Sequence, residues 1–163
     1  MRASGWTRFL PFWAACGMLA ATAPAFGAGA SLEWLLRSGD AGPLLAWEEP
    51  QTDMQPLLFA CDADRRVVSI SLVHEPEGAQ DPMTVDTSWS SEGGHMQLAM
   101  QGHRIELDDR FVLTTETPLT PELGRLLAEG RVLRIAIGGH EEIIPLEGSA
   151  HGVATLREQC APR

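Results

Sequence analysis

The residues whose types could do chemistry fall into three groups: cysteines, a Met/His stretch, and a Ser beside a His. Cys16, Cys61 and Cys160 are the only thiols in the 163 residues. No Cys-x-x-Cys pair occurs, so a redox role lacks its usual motif. Met96, Met100, His95 and His103 offer thioether and imidazole ligands that suit copper. On a strand, however, residues 96 and 100 share one face while 95 and 103 share the other, which predicts core methionines and no metal site. Gly148-Ser-Ala-His-Gly152 places Ser149 one position early for a nucleophile elbow, and Ser149 is expected to cap a helix N-terminus instead.

The carboxylates build no obvious site. Glu48-Glu49, Asp108-Asp109 and Glu141-Glu142 are neighbours, and neighbours on an extended chain point to opposite faces. Asp62 and Asp64 fall in a turn. His140 sits at a hairpin turn and is expected to be solvated. Glu122, Arg125 and Glu129 read as ion pairs on a helix surface. Lys, Asn and Tyr are absent, which removes lysine Schiff bases, the phosphate-loop lysine and tyrosine nucleophiles. No catalytic, cofactor or metal residues are therefore assigned from the sequence.

The elements that would position these residues begin after an N-terminal segment of different character. Arg2 and Arg8 precede an apolar stretch and a run of small residues through Ala30. This predicts a signal peptide over residues 1–30, with cleavage after Ala25, Ala28 or Ala30, and no membrane span afterwards. Lipidation at Cys16 is the alternative. Residues 31–163 are then one periplasmic domain, in which ten arginines against 22 acids leave a charge of −12. That excess argues against nucleic acid and anionic lipid as partners. In an oxidising compartment Cys61 and Cys160 read as a disulfide.

Within the domain, Leu32–Leu36 reads as a short helix or a clip onto the core, and Leu44–Trp47 as a short strand. Pro56–Cys61 has strand length. Val68, Ile70 and Leu72 alternate with serines, and Met83–Trp89 and Met96–Leu107 alternate similarly. A strand over Phe111–Thr114 follows. Thr120-Pro121-Glu122 starts a helix that Gly130 stops. Val132–Ile137 and Ile143–Leu146 flank a Gly138-Gly139 turn, and a last helix carries Cys160 on its buried side. The fold class is α+β: a mostly antiparallel β-sheet or sandwich with two short helices in the C-terminal third.

The last thirty residues read Leu133-x-Ile-x-Ile-Gly-Gly, then Ile-Pro-Leu-Glu-Gly148, then a helical pattern ending in Cys160. This resembles the C-terminus of small Gram-negative periplasmic proteins related to invasion-associated locus B, and of VasI-type proteins associated with type VI secretion. The Leu-Phe-Ala-Cys61 strand is a weaker echo, and Ser149 stands where those families often have an aromatic. The resemblance implies an exported, non-enzymatic envelope protein. With the acid excess, the sequence therefore predicts a binding or accessory role, no enzymatic activity and no cofactor, and an acidic surface for a basic protein partner. The alternative is a small periplasmic hydrolase or metal-binding protein whose site assembles only in space, with Ser149, His151, His95 and Asp86 as first candidates.

Overall fold

The computed structural model describes residues 31–162. The expected signal peptide and the Cys16 lipidation site lie outside the described residues. Nine strands form one antiparallel sheet: β1 (Glu33–Ser38), β2 (Pro43–Glu48), β3 (Leu57–Asp62), β4 (Val67–Val73), β5 (Met83–Ser91), β6 (Gly94–Ile105), β7 (Arg110–Thr117), β8 (Val132–Ile137) and β9 (His140–Pro145). Two helices, α1 (Pro121–Ala128) and α2 (Ser149–Cys160), complete the fold. The α+β expectation holds, and of its two architectures the single sheet is the one adopted.

The spatial order is β1-β2-β3-β4-β7-β6-β5-β8-β9. Hairpins make most neighbours, whereas β4 pairs with β7 and β5 with β8 across longer stretches of chain. Alternation fixes which side faces in. Val68, Ile70 and Leu72 of β4 are buried while the intervening serines are not, as period 2 requires. The same holds for Leu133, Ile135 and Ile137 of β8.

The sheet is curled, and its two edges approach each other. The indole Nε1 of Trp34, on β1, donates to the carbonyl of Pro145, on β9, at 2.7 Å. Trp34 also opens a row of rings through the interior: Trp47 at 5.7 Å and Phe59 at 6.2 Å between centroids, then Trp89 edge-on to Phe59 at 6.2 Å. The fully buried Trp89 donates to the Thr87 hydroxyl at 2.8 Å, which donates to the Leu98 carbonyl at 2.9 Å. Each buried polar group in that relay has a partner, as burial demands.

The segment read as a short helix or clip is β1, paired with β2 through the Gly39–Gly42 turn. A six-residue helix would be marginal by itself, whereas the hairpin satisfies its backbone groups. α1 starts as expected: the Thr120 hydroxyl accepts from the Leu123 amide, and Pro121 opens the helix. α2 does not. Its cap is Gly148, in a left-handed conformation (φ 90°) with no side-chain cap bond. Ser149 is buried, its Oγ 2.6 Å from the Leu127 carbonyl and 2.8 Å from the Leu146 carbonyl. The hydroxyl thus ties α2 to the end of α1, and its capping role is corrected.

Both helices pack near one end of the curled sheet. α2 lies against β1, β2 and β3, and α1 against β5 and β6. Cys61, near the end of β3, is bonded to Cys160, the last residue of α2. At the β5–β6 turn the Glu92 carboxylate accepts from the amide and Nε of Arg131, at 3.0 and 3.1 Å. Its own amide, then the amide and side chain of Arg131, hold its pKa down to about 2. The depressed value means that the folded state favours the carboxylate. The stabilisation is complete above the ordinary glutamate pKa of about 4.5 and is lost as pH falls through about 2. Wild type should therefore melt above Glu92→Gln at neutral pH, with the gap closing by pH 2 in parallel thermal scans. A gap independent of pH would mean that the carboxylate charge is not what stabilises this turn.

Candidate metal centre

The opposite end of the sheet carries the feature that the sequence reading missed. β4 buries Val68, Ile70 and Leu72, and one step further on the same parity comes His74. Its amide donates to the Phe111 carbonyl at 3.1 Å, which extends the ladder past Val73 and keeps the imidazole turned inward. Its side chain is 10% exposed.

β9 brings the other two groups. Gly138 and Gly139, with φ of 53° and 91°, form the two-residue turn of the β8–β9 hairpin. Positive φ at both positions is the geometry glycine supplies without strain. That turn pairs Ile137 with His140, Ile135 with Glu142 and Leu133 with Ile144. Directly paired residues share a face. The buried face of β8 therefore continues across β9 as His140, Glu142 and Ile144.

Curling of the sheet brings β9 to His74. Glu142 Oε1 lies 3.0 Å from His74 Nδ1 and 3.2 Å from His140 Nε2. It accepts from either nitrogen when that nitrogen is protonated. The two imidazoles stack, with centroids 5.1 Å apart and planes 26° apart. One ligand atom from each of His74, His140 and Glu142 lies within 4.8 Å of the others. The group is graded in exposure: His74 is nearly enclosed, Glu142 is 37% exposed and His140 59%. A cleft of about 680 Å³ opens beside the two histidines, with Glu75, Glu77, Gly138 and Gly139 also on its walls.

This cluster corrects the expectation of a protein with no enzymatic chemistry. Two imidazoles and a carboxylate converge next to a cleft, a potential metal or catalytic site that a purely non-enzymatic reading does not accommodate. His140, expected to be solvated, is exposed yet engaged with Glu142. The opposite-face rule for adjacent acids does hold: Glu141 turns outward to Arg134 at 2.9 Å while Glu142 turns in.

The residues singled out earlier do not converge. Ser149 is spent on backbone carbonyls, and His151 and Asp86 are exposed on α2 and β5. His95 is exposed on β6, whereas Met100 is fully buried and Met96 packs against the core. The copper set is thus split between faces, as strand parity requires. Of the helix-surface charges, Arg125 lies 3.6 Å from Glu122. The Cys61–Cys160 bond forms as expected, with Cα atoms 5.9 Å apart. β9, Gly148 and α2 ending at Cys160 follow one another along the chain. No protein-family model matches the sequence, and no curated protein or solved structure is significantly similar to it.

Proposed function

We propose that this is an exported metal-binding domain that holds a divalent transition ion of the zinc class through His74, His140 and Glu142. The convergence of these three ligand atoms within 4.8 Å carries the reading. Two imidazoles and one carboxylate are a set zinc uses in catalytic sites, where the fourth position is left to water or substrate. Here His74 and His140 line a cleft through which water or substrate would reach a bound ion. A metal-bound water is a nucleophile at neutral pH, so the fitting reaction class is hydrolysis. Besides the two histidines, the ionisable residues on the cleft walls are Glu75 and Glu77, and Glu75 pairs with Arg104. The buried disulfide and the N-terminal pattern support export to an oxidising compartment.

Calorimetric titration of the oxidised protein with zinc tests the assignment. One equivalent should bind to wild type, with affinity falling in acid because ligation requires deprotonated imidazole. His74→Ala and Glu142→Gln should each weaken binding by more than about tenfold, since loss of a ligand removes part of a three-group site. Cobalt(II) should give a visible absorption band in wild type and not in these variants. Equal zinc affinity in wild type and both variants would reject the site.

A further inference from the structure

Four large hydrophobic side chains stand out as exposed among the described residues: Leu36, Met54, Leu107 and Ile143. Two of these four, Met54 and Leu107, line the same groove, with Pro56 and Val73 also on its walls and a volume of about 900 Å³. Leu107 is 96% exposed and Met54 54%. Leu107 stands in the turn between β6 and β7, where a polar residue would serve the turn equally well. Left in water, it forgoes the gain that burial of such a side chain brings.

The groove is built rather than incidental. One wall is the β2–β3 loop, closed on itself by the Glu49 amide donating to the Met54 carbonyl at 3.0 Å. The other is the β6–β7 hairpin. Arg110 ties the two together: its guanidinium pairs with Asp108 and its Nη1 donates to the Asp53 carbonyl at 3.3 Å. The pairing holds the Asp108 carboxyl below its ordinary pKa, chiefly through the side-chain bond to Arg110.

Charge selects the occupant. Asp53 and Asp108 line the groove beside Arg110, Glu106 and Asp109 adjoin its lining residues in sequence, and Glu49 is held next to Met54 by its amide bond. Arg110 neutralises Asp108, and Arg104 pairs with Asp109 at 3.2 Å. Glu49, Asp53 and Glu106 have no basic partner among the described residues. A second copy would bring the same acids onto themselves, with residues 31–163 already at −12. An anionic lipid surface meets the same repulsion. We infer that this groove docks a segment of a basic protein that presents an aliphatic side chain flanked by arginine or lysine. Apolar side chains give such a contact its affinity, and the surrounding acids give it rate and selectivity.

Fluorescence anisotropy with a short labelled peptide of alternating arginine and leucine tests this on the oxidised protein. Peptides with serine in place of leucine, and with glutamate in place of arginine, are the controls. The Arg/Leu peptide should bind at least about tenfold tighter than either control, and weaken as salt rises. Leu107→Ser should lower its affinity about tenfold with unchanged melting, since that side chain is almost wholly in water. Asp53→Asn with Glu106→Gln should lower affinity at low salt and flatten the salt dependence. Equal binding by wild type and Leu107→Ser overturns the proposal. So does a concentration-dependent dimer that Leu107→Ser abolishes, which would assign the groove to a second copy.

Discussion

Replacing Cys61 and Cys160 together by alanine should lower stability by about 4–5 kcal/mol, because the bond closes a loop of 99 residues. Ordinary domains are stable by only about 5–15 kcal/mol, so this one bond decides whether the folded state persists at physiological temperature. In a domain of this size the melting temperature should fall by roughly 12–15 °C. Alanine is the informative choice. Both sulfurs are buried, and serine would leave hydroxyls there in search of partners. The loss should begin in α2, which the bond fastens to β3. Hydrogen exchange in the variant should show α2 amides opening well before those of β4 and β7. Denaturant unfolding of the oxidised protein and the double variant checks the magnitude. A difference below about 1 kcal/mol would mean that the folded packing holds α2 without help.

Among the glycines of the described residues, Gly93→Ala should be the most damaging added methyl. A Cβ at Gly93 would sit 2.1 Å from the Arg125 carbonyl oxygen and 2.6 Å from its carbon. Those atoms belong to the backbone of α1 and cannot swing aside as a side-chain tip can. The helix must lift off the β5–β6 turn, which also breaks the 2.7 Å bond from the Ser91 hydroxyl to the Leu126 carbonyl. Overpacking against a flexible side chain costs about 1–3 kcal/mol, and here the cost should reach or exceed about 3 kcal/mol. Gly124→Ala is the control within the same helix. The three atoms nearest to its Cβ would all belong to the flexible Arg157 side chain, the closest at 3.3 Å. There the higher helix propensity of alanine should leave stability unchanged or raised by up to about 1 kcal/mol. Parallel melts of the two variants separate close approach from loss of glycine as such. Equal shifts would refute the steric account.

The strands were legible wherever one face is buried and the other wet. Val68, Ile70 and Leu72 against Ser69 and Ser71 define β4 without recourse to coordinates. β1 was not legible, because Glu33-Trp-Leu-Leu-Arg-Ser38 has no alternation to read. It is a strand by virtue of its hairpin partner. The Ser149 misreading has a similar source. Local sequence shows a small hydroxyl residue before a helix, but not that two carbonyls from elsewhere converge on it.

Half of the His74, His140 and Glu142 cluster is legible in the sequence. A two-residue Gly-Gly turn fixes the register, and with Ile135 and Ile137 inward it forces Glu142 and His140 onto the same face. His74 likewise continues the inward parity of β4. What sequence does not contain is the curl. β4 and β9 are far apart in the order of strands, and only curvature carries one to the other.

That curl also governs when the chain can finish folding. The indole bond that joins the two edges links residues 111 apart, and the disulfide spans nearly as many. Neither closure is available to a partial chain. β1 to β4 can zip as successive hairpins while the rest is still emerging, but they must wait with one edge and much of their inner face uncovered. Loops this long make folding slow. A chain without β9 and α2 therefore has neither the Trp34–Pro145 bond nor the Cys61–Cys160 bond to close the sheet. β9 and α2, which come after the strands they close against, thus complete the cover over edges that would otherwise be free to pair with a neighbouring molecule.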